Sequence, residues 1–482
     1  MSPVPAVLTN VFTGLLDGRG DRVAVTDADG SVGYTELADR ARAAAARIAP
    51  HAVPGERLRV GLYATNSIDY VVCYLATLFA GAVPFLADSA FGPFELSRIA
   101  EDCGLDLLIH APGADVRSIA EEAPTHHGEL GALGLSRLRR DGRPRPELLD
   151  DTEVCRFTSG STGRPNCIAF SGAAVSAAAS NWAKGTGLSA DDRIACLAAL
   201  SNGLAFNTSL LAAFLHGASL HLSQGLPTAS RVVRLLENTG ATRLVAFPAL
   251  YESIVRRAPR NGFASVRTAI SSGAPLRETV REEFTRITGV PIHNYYGVAE
   301  TGPLTYAPDA DGGGLGKPLP GVDLRADEHG IRVRSQSMGS HYLNAPGVFE
   351  QRIDAEGYYR TGDQGHLVDG TLHLTGRTSR LVNAGGRKID PIEIVEVLRG
   401  APGVLDAVAL EAENKHGEPV LAAVVVAEPG VTAQFLRTHC AATLPTFKVP
   451  AILRLTDRIP ANSIGKPSIE RLRRLLSESP SN

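Results

Sequence analysis

The sequence predicts an α/β protein, with a large N-terminal domain of parallel-sheet α/β subdomains plus a β-rich subdomain, and a small C-terminal α+β domain. Three observations predict it. From Tyr34 to Thr288, short apolar runs alternate with longer stretches of helical periodicity, the pattern of a mainly parallel sheet covered by helices. From Gly312 the texture changes to short β-like runs separated by turns. After Arg377 a new small α/β unit begins, which puts a domain boundary near Ser379 and divides the chain into 1–378 and 379–482. A chain of 482 residues is expected to form two or more domains.

Each element has its own warrant. Tyr34 to Ile48 is alanine-rich and helical, with Thr35 as a cap before Glu36. Leu58 to Tyr63 is a short apolar run, Ser67 to Phe79 is helical, and Leu105 to Ile109 is a buried strand. Gly128 to Asp151, rich in Arg, Gly and Pro, reads as a loop. Strands are expected at Ile194–Leu200, Ser219–Leu222, Leu244–Phe247 and Val266–Ser271, with helices around Asn207–Leu215, Ser230–Asn238 and Leu276–Thr288. The β-like runs are Leu324–Ala326, Ile331–Val333, Gly365–Val368 and Leu372–Leu374. The last unit carries an amphipathic helix near Pro391–Leu398 and apolar strands at Ala407–Leu410 and Leu421–Val426.

Composition excludes several classes. Hydrophobic residues make up 44% and charged residues 21%, as in ordinary soluble globular chains. A net charge of −3 argues against nucleic acid as a partner. The basic cluster Arg137, Arg139, Arg140, Arg143 and Arg145 lies beside Pro144 and Pro146 and reads as a solvated loop. Six cysteines lack zinc-ligand spacing and read as buried free thiols in a reducing compartment. Tyr70 to Ala87 has no charge and nears the length of a membrane span, but Gly81 and Pro84 interrupt it; a buried helix followed by a core strand fits better. Met1 to Gly20 shows no secretory pattern, so the expected location is cytoplasmic, with no membrane partner.

One loop draws the chemistry together: Thr158-Ser159-Gly160-Ser161-Thr162-Gly163-Arg164-Pro165-Asn166. Glycines let backbone N–H groups turn toward an anion and hydroxyls add donors, so a polyphosphate is the natural guest. A flexible Ser/Gly loop is the competing reading on composition alone. It is not a G-x-x-x-x-G-K-S/T loop, because no lysine follows the second glycine. Five further segments follow in order: Ile270 to Leu276 (Ser271-Ser272-Gly273-Ala274-Pro275), Asn294-Tyr295-Tyr296-Gly297-Val298-Ala299-Glu300-Thr301, Tyr359-Arg360-Thr361-Gly362-Asp363, Gly376-Arg377 through Ile394, and Asn462-Ser463-Ile464-Gly465-Lys466.

In this order, across almost the whole chain, the six segments resemble the adenylate-forming (ANL) superfamily of acyl- and aryl-CoA synthetases, nonribosomal adenylation domains and firefly-type luciferases. The resemblance implies ATP-dependent activation of a carboxylic acid to an acyl-adenylate, with release of pyrophosphate. It implies that Thr158, Ser159, Gly160, Ser161, Thr162 and Gly163 grip the β- and γ-phosphates. It places Gly273, Ala274, Pro275, Asn294, Tyr295, Tyr296 and Gly297 around the nucleoside, Tyr296 stacking on adenine. Asp363 would accept the ribose hydroxyls and Arg377 would lie near the ribose or phosphate. Glu300 would hold Mg²⁺, a hard oxygen ligand for a hard cation. Lys466 would bridge the substrate carboxylate and α-phosphate from a C-terminal domain that is mobile about Ser379. The acceptor implied is CoA or a phosphopantetheine arm, on a free-standing acyl carrier protein since no carrier domain follows Lys466. Taken alone, Asp363 is also a turn residue and Lys466 a solvated lysine.

The departures are specific. Asn166 stands where the family usually has lysine, Ala299 where it has threonine, Val395 where it has a second glutamate, and Ser379 at the hinge where Asp or Lys is usual. In the acyl pocket, Asn202, Phe206, Phe247, Ser272 and Tyr295 are the candidate substrate contacts. No aspartate stands where amino-acid-activating members hold an α-ammonium, so an aryl or short acyl acid is expected rather than an α-amino acid. Asn202 is equally a helix cap, and the aromatics equally core. Abundant alanine and arginine would suit natural-product biosynthesis in a GC-rich bacterium. The rival readings are a ligase that passes the acyl group to an amine and a non-catalytic nucleotide-binding relative.

Overall fold

The computed structural model describes residues 7–140, 142–158, 165–223, 228–257, 261–273, 276–308, 314–327, 330–377, 381–460 and 469–477. It forms two compact units: Met1–Ser89 with Ile99–Phe157 and Cys167–Thr378, and Ala90–Arg98 with Thr158–Asn166 and Ser379–Asn482.

Two sheets with parallel centres build the first unit. In one, strand Arg59–Tyr63 pairs in parallel with Val83–Leu86 and Leu107–His110, and Val83–Leu86 continues to Thr152–Thr158. In the other, Ser219–Leu222, Arg193–Cys196, Arg243–Ala246, Thr268–Ser271 and Ile292–Asn294 run parallel in that order. This is the α/β architecture that the alternating pattern predicts. The uncharged run is explained by burial. Helix Ile68–Phe79 is capped by Ser67, whose side chain accepts from the Tyr70 amide at 3.0 Å, and it buries ten residues. Gly81 turns the chain at φ 70°, and strand Val83–Leu86 is buried throughout. Among the described residues no helix is long and apolar enough to cross a membrane. All six cysteines are free and buried.

Four local expectations change. Helix Tyr34–Ile48 starts at Gly33 without a side-chain cap, so Thr35 is not the cap. Tyr34 sets the start instead: it is fully buried and its hydroxyl donates to the Ala218 carbonyl at 2.7 Å, a tertiary anchor that outweighs local capping. The stretch 128–151 is not all loop, since Gly134–Arg137 pairs antiparallel with Leu107–His110. The arginine cluster is not merely solvated: Arg145 donates to Glu56 at 2.6 Å and Asp106 at 2.9 Å, and Arg140 joins the same two carboxylates. The fourth change concerns the helical run after Asn202. It begins at Gly203 and is wound as a π-helix over Phe206–Leu211, with all six residues buried.

The β-rich part comprises strands Val322–Asp327, Gly330–Ser335 and Tyr359–Arg360, followed by the hairpin Asp363–Val368 with Thr371–Arg377. In the second unit, strands Val404–Glu413, Pro419–Ala427 and Ile452–Leu455 form one sheet. Its central strand alternates faces with the two-residue period of a strand. Ala423 and Val425 pack with Ile394, Leu398, Leu436 and Cys440, while Ala422 and Val424 pack with Leu472 and Leu476 of helix Ile469–Ser477. Within this unit Lys448 is buried. Its Nζ lies 3.1 Å from Glu95 Oε1 and 2.9 Å from Glu393 Oε1. Burial pushes Glu393 up to about 7, against the pull of the Lys448 charge.

Candidate active site

The parallel strands Arg243–Ala246, Thr268–Ser271 and Ile292–Asn294 end together, and the crevice beyond the carboxyl ends of such strands is where open α/β sheets hold ligands. Ser271 and Asn294 are partners in register, and the Tyr295 amide donates to the Ser271 carbonyl at 3.2 Å. This brings Ser272, Gly273 and Asn294–Glu300 together from segments more than twenty residues apart. Gly273 takes φ 86°, in the left-handed region that glycine alone enters freely. Gly297 is required for a different reason: an added Cβ would lie 2.5 Å from the Gly302 carbonyl oxygen, against which Gly297–Val298 forms its short antiparallel pair.

Tyr296 reaches across to the β-rich part. Its hydroxyl donates to Asp363 Oδ2 at 2.7 Å, and both residues are buried. Asp363 opens the hairpin strand opposite Arg377, so the backbone register sets these two side by side. Tyr295 is buried with its ring at 5.0 Å from Trp182, edge on, and burial raises its hydroxyl pKa, partly offset by the Ser272 side chain.

Glu300 is half-buried, and its carboxylate is oriented by hydroxyls. Tyr342 donates to Glu300 Oε1 at 2.7 Å, Tyr342 and Tyr359 hydroxyls are 3.4 Å apart, and Arg352 Nη1 donates to the Tyr359 hydroxyl at 3.4 Å. Burial, then the Glu300 charge, raises the pKa of both tyrosines, so they stay protonated as donors. Among the described residues there is no group of three or more His, Cys, Asp or Glu side chains that could hold a metal ion alone. A Mg²⁺ held at Glu300 would therefore draw most of its ligands from substrate oxygens and water, as this ion commonly does.

The expected acyl-pocket residues divide. Asn202 caps the helical run, its Oδ1 accepting from the Leu204 amide at 2.9 Å. Phe206 is fully buried, edge on to Tyr74 at 5.7 Å, whereas Phe247 is half-buried against the same core. Thr158 ends strand Thr152–Thr158 and Asn166 begins strand Asn166–Ser171. Ser159, Gly160, Ser161, Thr162, Gly163, Ala274, Pro275, Ser379 and Lys466 lie outside the described residues.

Two further residues belong to this region and went unread in the sequence. Tyr342 holds Glu300 from 42 positions away, with no local signal. Arg156 did leave a signal, a charge inside the apolar run Val154-Cys155-Arg156-Phe157. It is 3% exposed, its Nη2 donates to the Ala299 carbonyl at 3.1 Å, and its guanidinium lies 4.4 Å from the Phe170 ring and 5.4 Å from Phe206. Burial lowers its pKa to about 10, with the Glu300 charge the first influence against that shift.

Comparison with known proteins accords with this geometry. A 3-hydroxybenzoate–CoA ligase of Aromatoleum sp. (strain CIB) is 27% identical over 498 aligned positions, covering 96% of this chain and 95% of the relative. Two solved structures share the fold. One is o-succinylbenzoate CoA synthetase of Bacillus subtilis, with a TM-score of 0.84, 22% identity, and 96% and 98% of the two chains covered. The other is an amide bond synthetase of Marinactinospora thermotolerans, with a TM-score of 0.84, 23% identity, and 96% and 99% covered. The sequence profile described as AMP-binding enzyme matches residues 15–351, a span containing the strand-end crevice and Glu300. That match extends over most of the chain, and with it the chain belongs to the AMP-binding enzyme family.

Proposed function

We propose that the protein is an AMP-forming acid–thiol ligase acting on an aryl or short acyl acid. In the first step a carboxylate oxygen attacks the α-phosphorus of ATP, the bond to pyrophosphate breaks, and pyrophosphate leaves. In the second a thiolate attacks the acyl carbon, AMP leaves, and the thiol proton is released. The thiol belongs to CoA or to the phosphopantetheine of a carrier protein. The observation that carries this reading is the buried Tyr296–Asp363 pair at the strand-end crevice of an AMP-binding chain. It sets a carboxylate with two acceptor oxygens, suited to ribose hydroxyls, beside an aromatic ring suited to a base. The relation to a protein named as a CoA ligase supports the thiol as acceptor.

The roles follow. Asn294 and Gly273-Ala274-Pro275 face the base, Arg377 the ribose or phosphate, and Thr158 to Gly163 the β,γ-phosphates. Two anions must meet in the first step, so donors and cations have to offset their charge as it redistributes. Glu300, fixed by Tyr342, would hold Mg²⁺, and the bound ion supplies neutralisation of phosphate charge. Lys466 bridges the carboxylate and α-phosphate. The domain 379–482 carries it and turns about Ser379 between the two steps. Asn202, Phe206, Phe247, Ser272 and Tyr295 contribute to the acyl pocket.

Acid-dependent exchange of pyrophosphate into ATP tests the reading, run over a panel of aryl, short-chain and β-amino acids. Exchange with at least one acid is expected, with Lys466→Ala reduced at least ~100-fold at an unchanged melting temperature. Silence over the whole panel would leave a non-catalytic nucleotide-binding relative as the better reading. Product analysis with CoA and with amines then separates the thiol from the amide outcome. The fold alone does not choose, since it is shared by a CoA synthetase and an amide bond synthetase.

A further inference from the structure

We infer that Arg156 is a specificity-determining residue, and that the acid this enzyme activates carries a second anionic group, a carboxylate, which Arg156 binds inside the acyl pocket. The inference rests on the acid-activating function proposed above and narrows its substrate to dicarboxylic acids, including carboxylate-substituted aryl acids.

The argument starts from charge. An ionised side chain taken out of water is costly unless a counter-charge or a full set of hydrogen bonds replaces the lost solvent. Arg156 is 3% exposed and forms no ion pair among the described residues; the Glu300 charge offsets its burial only in part. Among the described residues its five N–H donors make one bond, from Nη2 to the Ala299 carbonyl, and Nε is buried with no partner there. The faces of Phe170 and Phe206 hold the guanidinium plane, a contact that orients a cation without neutralising it.

The surroundings are shaped around this cation. A Cβ on Gly203 would lie 2.3 Å from Arg156 Nη1, so glycine there leaves the room that the guanidinium takes. Gly203 is also the first residue of the helical run after the Asn202 cap, where backbone N–H groups carry partial positive charge. A buried guanidinium set against a helix start is doubly unfavourable for an empty protein and doubly favourable for an anion. The planar fork matches a carboxylate through two parallel bonds. Phe206 touches the guanidinium, and the cation's one bond is to Ala299, next to Glu300. A second carboxylate held here thus belongs to a molecule whose first carboxylate reacts nearby.

Matched pairs of acids test this by pyrophosphate exchange, each pair having one skeleton with and without the second carboxylate, for example phthalates against benzoate and succinate against butyrate. The wild-type enzyme is expected to prefer at least one dicarboxylate by ~100-fold in kcat/KM, the usual size for a lost partner of a buried charge pair. Arg156→Met should abolish that preference, chiefly through a raised KM for the dicarboxylate. Arg156→Lys, which keeps the charge but not the fork, should fall between. If Met fails to fold, the lysine variant alone decides, because a merely structural cation would be rescued for both acids equally. Preference for the uncharged member of every pair, or equal loss on both members in the variants, would overturn the inference while leaving acid activation intact. No exchange with any acid would instead overturn the function it rests on.

Discussion

Two buried cations sit in the two units of this chain and are treated in opposite ways. Lys448 lies between two carboxylates, Glu95 and Glu393, at 3.1 and 2.9 Å. Arg156 has aromatic faces, one carbonyl and no ion pair among the described residues. The difference separates a charge that the fold uses from one that it keeps for a ligand. A neutralised cation holds segments together whether or not substrate is present. A buried cation that forms no direct ion pair weakens the empty protein, and its cost is recovered when an anion arrives.

The largest expected effect breaks the first half of that comparison. Lys448→Met strands two buried carboxyl groups, and removal of one partner from a buried charge network costs about 3–5 kcal/mol. Denaturant unfolding of the full chain measures it. Arg156→Met strands no carboxylate and should cost clearly less in the same experiment. Equal losses would mean that the two cations do the same structural work, and the contrast would collapse.

The second effect sharpens the contrast through pH. Burial pushes the Glu393 carboxyl up from 4.5 to about 7 against the pull of Lys448, and the neighbouring Glu95 and Asp390 charges add a smaller push in the same direction. The folded chain then holds this proton more tightly than the unfolded chain. Its contribution is therefore present in full below pH 4.5, lost as pH rises to about 7, and constant above. The span corresponds to about 3 kcal/mol for one group. Stability measured from pH 4.5 to 7 should fall less steeply in Glu393→Gln, which cannot ionise. Parallel profiles for variant and wild type would remove Glu393 from the account.

These cases show how much the sequence made legible. Elements set by local periodicity were readable: the limits of Tyr34–Ile48 and Ser219–Leu222 match, and the uncharged run to Ala87 resolves into helix, Gly81 turn and strand as its punctuation indicates. The AMP-binding family was readable too, because its motifs are local words in a fixed order. What depends on distant partners was not. Lys448 meets Glu95 across 353 positions, and nothing in Thr446-Phe447-Lys448 distinguishes it from a solvated lysine. Arg156 stands out in its apolar strand, yet only packing reveals that it forms no ion pair among the described residues. The Thr35 cap failed for the same reason, since the buried Tyr34 ring decides where that helix begins.

Glu300 lies between the two extremes and gives the smallest effect. It is half-buried, and among the described residues its side-chain hydrogen-bond partner is neutral, the Tyr342 hydroxyl at 2.7 Å, which orients the carboxylate without cancelling its charge. If the carboxylate is kept for a cation arriving with the nucleotide, as Arg156 is kept for an anion, the hydroxyl acts by positioning. Tyr342→Phe removes one hydrogen bond to a charged group, worth about 1.5–3 kcal/mol. The loss should fall on the magnesium concentration needed for half-maximal pyrophosphate exchange, raised ~10-fold or more, with kcat at saturating magnesium changed far less. A purely structural tyrosine would lower the melting temperature and leave that magnesium requirement where it was. The Phe variant thus separates an oriented metal ligand from a buried polar contact with a structural role alone.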